Sequence, residues 1–444
     1  MPVERLPQNF FVTLPELMVL PKRGLVLGAT AAMLTTVAIT GAGLQLSQSQ
    51  AFFSESPKEL VDEVWQIINR QYLDATFNQV DWRAVRNEYL DMSYDSKEDA
   101  YDAIQEMLDK LEDPYTRFLK PEEFETLQID TSGELLGIGI QIALDEETGD
   151  ITVVAPIEDT PAFEAGLLAK DTIVEIDGQS TEGMEINDAV SLIRGKPGTS
   201  VGIVIRRGTR ELEFEIERAR IEIHPVRARI EPTESGNIGY IRLTQFSANA
   251  VDEMREAIQD FEKQDVAGYV LDLRSNPGGL LYSSIEIARM WLEEGTIVST
   301  VDRRGEVDRQ RANYRSLTDA PLVILIDGGS ASASEILSGA LQDNDRASLV
   351  GTQTFGKGLV QSVRSLGDGS GLTVTIAKYL TPSGRDINEE GIEPDSIVEL
   401  EDSQREALQQ DRSQIGTLKD PQFVEALDIL LETIASADSA PGDA

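Results

Sequence analysis

The run Pro321-Leu-Val-Ile-Leu-Ile326 carries no polar side chain and breaks at once into Asp327-Gly-Gly-Ser-Ala-Ser-Ala-Ser-Glu-Ile336. A short apolar run bounded by a glycine pair reads as a buried strand, and Ile336, Leu337, Ala340 and Leu341 then recur at helical spacing. A strand that turns straight into a helix places serine hydroxyls beside backbone N–H groups that have no partner inside the helix. The same texture fills residues 225–400. Ile238–Leu243 reads as a strand, Ala250–Glu262 as a helix, and Gly268–Leu273 as a buried strand ending at Arg274-Ser-Asn-Pro-Gly-Gly279. Tyr282–Glu293 reads as a helix, Ile297–Val301 as a strand and Asp386–Asp395 as a loop, which together predict an α/β region.

At 444 residues the chain exceeds one ordinary core, and its texture changes several times. From Gly24 to Phe53 there is no charged residue, and Lys22-Arg23 stand just before. This predicts an export segment, either a signal cleaved near Ser49-Gln-Ala51 or an uncleaved anchor of about 20 residues; a buried core helix is the bland alternative. Residues 57–125 read as helices, with Leu60, Val61, Val64, Ile67 and Ile68, then Ile104, Met107, Leu108 and Leu111, at helical spacing until Asp113-Pro114. No cluster there suggests chemistry, so the region reads as packing or a dimer surface. Between about 130 and 220 the chain becomes short β-rich runs punctuated by glycine. A tail begins near Ser403, is helical around Phe423–Ile434 and ends in Ser439-Ala-Pro-Gly-Asp443, a stretch expected to be disordered. The expected divisions are an export signal or membrane anchor at 1–53, a helical domain at 54–128, a β module at 129–222, a catalytic α/β domain at 223–400 and a helical tail at 401–444.

Composition removes several kinds of chemistry. There is no cysteine, so thiol nucleophiles, thiolate metal sites and disulfides are excluded. The single histidine, His224, stands before Pro225 between two predicted domains and cannot alone make a histidine-rich metal site. No cofactor or metal is expected. With 39 basic against 78 acidic side chains the formal net charge is -39, which argues against a nucleic-acid partner.

Ser330, Ser332 and Ser334 alternate, and composition cannot choose among them. Ser332 with Glu335 fits a capping box, which by itself needs no function beyond starting a helix. Downstream, Thr354-Phe-Gly-Lys-Gly-Leu-Val-Gln361 places one lysine between two glycines. A serine nucleophile needs a base, and Lys357 is the candidate, an ordinary exposed lysine being the alternative. At a pKa near ~10.4 only roughly 4 in 10,000 lysines are neutral at pH 7, but burial lowers the value by up to ~3 to 5 units. Phe355 and Leu359 are the side chains expected to exclude water.

Two resemblances sharpen these expectations. The segment with Leu136-Gly-Ile-Gly-Ile140, Ile151–Ala155, Thr160-Pro-Ala-Phe-Glu-Ala-Gly166, Ile176-Asp-Gly178 and a helix at Asn187–Arg194 resembles a PDZ domain. In such a module Gly137, Ile138 and Gly139 point backbone N–H groups at a chain-terminal carboxylate, and the strand from Ile140 pairs with the peptide.

From about residue 58 to 440 the chain resembles the carboxyl-terminal processing peptidases, most strongly at Leu273-Arg-Ser-Asn-Pro-Gly-Gly279, Ser330-Ala-Ser-Ala-Ser-Glu-Ile336 and Thr354-Phe-Gly-Lys-Gly358. The resemblance implies a multidomain α+β protein with a helical N-terminal region, a PDZ module, a ClpP/crotonase-like α/β catalytic domain and a helical tail. It implies a serine endopeptidase with Ser332 as nucleophile, Lys357 as base and Gln361 orienting the amine. The oxyanion donors would be the N–H groups of Gly278 and Ala333, and Arg194 would link peptide binding to activation. Trp82-Arg-Ala-Val-Arg86 and Asp113-Pro-Tyr-Thr-Arg-Phe-Leu119 are most similar to the branch from photosynthetic organisms. That implies a periplasmic or thylakoid-lumenal setting and a photosystem II reaction-centre precursor as substrate. Expected partners are proteins with exposed C-termini, the membrane if the N-terminal segment is retained, and a second copy of the chain. The competing functions are a non-catalytic membrane-anchored PDZ scaffold or chaperone-like binder, and an acyl-CoA enzyme on a related core.

Overall fold

The computed structural model describes residues 56–439 apart from 146–147, 158 and 306. The expected export segment and the last five residues, 440–444, lie outside these residues. Among the described residues no helix is long and apolar enough to cross a membrane.

Helices α1 (Pro57–Gln71) and α3 (Lys97–Asp109) form where the periodicity placed them, with α2 (Trp82–Asp91) between them. Ser56 with Glu59 and Ser96 with Asp99 cap α1 and α3 by satisfying first-turn N–H groups. Leu60, Val64, Ile68, Ile104 and Met107 are buried in one cluster, beside Trp65 and Trp82 stacked at 6.4 Å. The cluster also takes in Phe118, Leu366, Leu372 and Val374, so its apolar faces are closed partly by the α/β region. Strand β1 (Arg117–Leu119) makes that join, pairing antiparallel with residues 371–373.

After α4 (Pro121–Ser132), β2 (Glu134–Gly137) begins the β module, which holds β3 (Ile140–Leu144), β4 (Ile151–Pro156), α5 (Pro161–Ala165), β5 (Thr172–Ile176), β6 (Gln179–Ser180), α6 (Ile186–Ile193), β7 (Ser200–Arg207), β8 (Arg210–Glu217) and β9 (Ala219–Glu222). β2 and β9 pair as a separate two-stranded ribbon, and the main sheet has the order β3-β4-β5-β7-β8 with β6 on β5. The strand expected to open at Leu136–Ile140 is interrupted between β2 and β3. Gly139 sits at φ +83, and a Cβ there would lie 2.4 Å from the Thr160 side chain.

The α/β region runs β10 (Val226–Thr233), β11 (Gly236–Leu243), α7 (Ala250–Glu262), β12 (Gly268–Asp272), α8 (Leu281–Trp291), β13 (Thr296–Asp302), β14 (Val307–Arg311), β15 (Leu322–Ile326), α9 (Ala333–Asp343), β16 (Ser348–Gly351), β17 (Leu359–Ser365), β18 (Gly371–Leu380) and β19 (Ser396–Ile397). The tail forms α10 (Asp402–Gln410) and α11 (Pro421–Ser439). The central sheet has the order β10-β11-β12-β15-β16-β19 and is parallel except for the edge strand β10. Its apolar runs are buried on both faces, as parallel strands require. Tyr269, Leu271, Leu322, Ile324 and Ile326 face the core with α7, α8 and α9. The alternating Val270, Val323 and Leu325 face Phe423, Ala426, Leu427 and Leu430 of α11, so the tail is the second cover of the sheet. A second sheet, β1-β18-β13-β14 with β17 on β18, carries the helical region and the segment after Lys357.

Candidate active site

In an open parallel sheet the loops leaving the C-terminal ends of adjacent strands converge on one edge. Here the loops after β12, β15 and β16, neighbours in the sheet, carry Gly278, Ser332 and Lys357 respectively. Hydrogen bonds bind the first two loops together. Ser275 N–H donates to Asp327 Oδ1 at 2.7 Å, and Ala331 N–H to the Asn276 carbonyl at 3.1 Å.

The three serines differ in what they do. Ser330 Oγ donates to the Leu273 carbonyl at 2.8 Å and Ser334 Oγ to the Asn276 carbonyl at 2.8 Å, and both residues are fully buried. They stitch the β15 loop to the β12 loop. Ser332 stands at the turn into α9 with φ 55 and ψ -110, a conformation that costs a non-glycine residue of order 1–3 kcal/mol and is concentrated at functional sites. Its hydroxyl lies against that of Tyr379 on β18. Burial pushes the Tyr379 phenol up to about 12, with a hydrogen bond from Ser332 pulling the other way.

Glu335 does far more than cap a helix. Its fully buried carboxylate accepts from Ser332 N–H at 2.7 Å, Thr354 Oγ1 at 2.6 Å, Gly356 N–H at 2.7 Å and Lys357 N–H at 2.9 Å. One side chain thus ties the backbone of Ser332 to that of Lys357. The glycines around Lys357 let this loop approach its neighbours. A Cβ on Gly358 would lie 2.5 Å from Asn388 N, and Gly356, at φ +90, packs on the Glu389 backbone.

Burial pushes the Lys357 amine below the ordinary lysine value, Arg117 adds to the effect, and Glu335 and Asp113 oppose it. One of the two expected water-excluding neighbours does not serve as one. Phe355 is 58% exposed, while the Tyr115 ring, from the helical region, lies 4.9 Å from Lys357 Nζ. Among the described residues no hydrogen bond joins Lys357 Nζ to Ser332 Oγ. Gln361, on β17 at a bulge in its pairing with β18, has a buried Nε2 without a hydrogen-bond partner among the described residues.

Gly278, at φ +102, packs directly on the turn that carries Ser332: a Cβ there would lie 2.6 Å from the Ala331 carbonyl and 2.9 Å from Ala333 N. Its N–H donates to Asn276 Oδ1 at 2.9 Å, whereas the Ala333 N–H, in the first turn of α9, has no partner among the described residues. Behind this turn Arg274 is buried between Asp272 and Asp420, 2.7 Å from each. Although burial raises the Asp272 carboxyl, Arg274 beside it, with Arg242 and Tyr240, holds it below the usual range. Asp272 is therefore part of a structural brace between the Pro277–Gly279 turn and the start of α11. His224 is 69% exposed and pairs with Glu253, with no serine as partner among the described residues.

In the β module a groove is lined by Gly137, Ile138, Gly139, Ile140, Val190 and Arg194. β3 is an edge strand, so its outer backbone groups are open to another strand. Ile138 and Gly139 N–H have no hydrogen-bond partners among the described residues. Arg194, just after α6, has its Nη1 3.6 Å from Glu125 Oε2 on α4. Burial raises the α4 carboxyl of Asp130 and the charge of Arg194 draws it back.

Comparison with known proteins agrees with this layout. The family model for Peptidase family S41 matches residues 237–398, and that for the PDZ domain matches residues 152–207. A carboxyl-terminal-processing protease of Synechocystis is 45% identical over 87% of this chain and 89% of its own length. The chloroplastic carboxyl-terminal-processing peptidase 2 of Arabidopsis thaliana is 39% identical over 81% of this chain and 71% of its own. Among solved structures, a photosystem II D1 C-terminal processing protease is 37% identical, with a TM-score of 0.53, covering 78% of this chain and 93% of that one. These relatives set aside the scaffold and acyl-CoA alternatives. The chain therefore belongs to peptidase family S41, as a PDZ-bearing, serine-type carboxyl-terminal-processing protease.

Proposed function

We propose that Ser332 is the nucleophile and Lys357 its general base, and that the PDZ groove delivers a substrate's C-terminal segment to them. The observation that carries this is the Glu335 carboxylate, which binds the backbone of both residues at 2.7 and 2.9 Å. The neutral Lys357 amine takes the Ser332 hydroxyl proton as Oγ bonds to the scissile carbonyl carbon, and then gives it to the leaving amine. Water, deprotonated by the same amine, releases the acyl group from Ser332. Gln361, with its unpaired Nε2, orients the amine's surroundings. Ala333 N–H is available to the oxyanion, and Gly278 N–H joins it when the substrate oxygen replaces Asn276 Oδ1 as its acceptor.

The groove at Gly137–Ile140 takes the substrate's terminal carboxylate, and Arg194 reports its arrival through the contact with α4. The division of labour follows the regions: export at 1–53, recognition at 129–222, cleavage at 223–400, and support from 54–128 and 401–444. Placement in a periplasm or thylakoid lumen follows from the export segment. Similarity to a photosystem II D1 processing protease favours a photosystem II reaction-centre precursor as substrate. The test is mass spectrometry of exported proteins from cells carrying Lys357→Ala. C-terminally extended species should accumulate, and an unchanged set of C-termini would reject the proposal.

A further inference from the structure

We infer that the Asp113–Arg117 turn of the helical region belongs to the active site, with Tyr115 as a positioning residue that holds the Lys357 amine in a waiting position off Ser332. The inference rests on Lys357 being the base. The turn is far from Lys357 in sequence and is fixed over it by hydrogen bonds on both sides. Asp113 Oδ1 accepts from Tyr115 N–H at 2.9 Å and Asp113 Oδ2 from Thr116 Oγ1 at 2.7 Å, which sets the turn's shape. The turn is then sewn to β18: Thr373 Oγ1 donates to the Tyr115 carbonyl at 2.8 Å, Thr375 N–H donates to Thr116 Oγ1 at 3.0 Å, and Arg117 stands opposite Thr373. β18 also pairs with β17, the strand that leaves the lysine loop. Strand pairing therefore fixes the backbone that carries the ring over the amine.

Lys357 Nζ lies 4.9 Å from the Tyr115 ring centroid and has no hydrogen-bond partner among the described residues. The negative face of an aromatic ring attracts an ammonium and has little hold on a neutral amine. Tyr115 thus favours the form of Lys357 that cannot accept a proton, in a place where no hydrogen bond reaches Ser332. The charged groups facing the amine are Arg117 on β1, Glu335 on α9 and Asp113 in the turn; Glu389, in the loop behind Gly356, faces the Tyr115 phenol with Asp113 and Glu335. Arg117 and burial disfavour the ammonium, while the ring and the two carboxylates favour it. Catalysis requires the amine to leave the ring, so the helical region restrains the base until it moves to Ser332.

The titration of Lys357 itself tests this. In full-length protein carrying Ser332→Ala, so that no turnover intervenes, acetylation of Lys357 by limiting acetic anhydride is followed by peptide mass spectrometry across pH. Tyr115→Leu should lower the Lys357 midpoint by roughly half a unit to one unit relative to the Tyr115 protein. Tyr115→Phe, which keeps the ring, should leave the midpoint in place. Leu and Phe variants that titrate alike, or a Leu variant that titrates higher, would overturn the inference. Lys357→Ala in the Ser332 enzyme separates the two levels. Full peptide cleavage by it rejects the base assignment and this inference with it, whereas loss of cleavage together with identical Leu and Phe midpoints rejects the role of Tyr115 alone.

Discussion

Replacing Glu335 by Gln changes one oxygen to an NH2 group and almost nothing in volume, so the effect is decided by the four donors around the carboxylate. If the NH2 takes the Oε2 position it faces Ser332 N–H and Lys357 N–H, neither of which can accept. At the Oε1 position it faces Gly356 N–H and the Thr354 hydroxyl. Thr354 can turn to accept, although its oxygen already accepts from Ile392 N–H at 2.7 Å. The second orientation is therefore preferred and leaves one buried N–H unsatisfied, a cost of about 1–3 kcal/mol. The two remaining backbone bonds also fall from charge-assisted to neutral strength, together roughly 1 kcal/mol or more, while the easier burial of an amide returns part of the loss. We expect a net effect near ~2 kcal/mol, equivalent to about 30-fold. It should appear in two places. Hydrogen exchange at the amides of Gly356 and Lys357 should quicken by about that factor, and kcat/KM for a peptide substrate should fall by a similar one if loop assembly limits the reaction. Exchange and kcat/KM both within twofold of the unsubstituted enzyme would refute the account of Glu335 as the link between the two loops.

Other contacts give three further expected outcomes and one pH dependence. Gly278→Ala places a methyl group 2.6 Å from the Ala331 carbonyl at a backbone φ of +102, so kcat/KM should drop by about 100-fold or more while circular dichroism stays unchanged. Gly139→Ala forces a methyl into the Thr160 side chain at 2.4 Å, and fluorescence anisotropy with Ser332→Ala protein should show peptide binding weakened by roughly tenfold or more. Asp420→Ala leaves Arg274 buried with one carboxylate partner fewer and should cost about 3–5 kcal/mol in urea unfolding. The Asp272 carboxyl, held below its unfolded value of about 3.9, contributes stability that is complete above that pH and is lost as pH falls through the lowered value; Asp272→Asn should flatten this acid limb.

Much of this architecture was legible in local pattern. The helical spacing of Leu60 to Ile68 and the unbroken apolar runs at Gly268–Leu273 and Pro321–Ile326 became helices and parallel strands, because burial on one face or two writes itself directly into composition. The serines were a different case. Ser330, Ser332 and Ser334 are equivalent as letters, and only the loop contacts separate them: two hydroxyls bond to carbonyls of the β12 loop and the third faces Tyr379. The capping pattern at Ser332 and Glu335 announced one of four bonds to that carboxylate. The other three come from residues 354–357, which are brought near by the return of the chain through β16.

Tyr115 was less visible still. Its turn carries no chemical signature, and its position over Lys357 depends on the pairing of β1 with β18, a contact between distant segments that no local period encodes. The exposed Phe355, two residues before the lysine in sequence, was the natural guess for a water-excluding neighbour and does not serve as one. The tail was readable as a helix, but its burial against Val270, Val323 and Leu325 required knowing that the second face of the sheet was otherwise bare.

We propose that Ser332 attacks and that Lys357 makes it able to do so. The most direct measurement is the site and rate of covalent labelling by an irreversible serine-directed phosphonate bearing a peptide with a free C-terminus, located by mass spectrometry of the 327–346 segment. The label should sit on Ser332, form faster as pH rises through the lowered pKa of Lys357, and disappear in Lys357→Ala protein. Label on Ser330 or Ser334, or undiminished labelling of Ser332 without Lys357, would contradict the account.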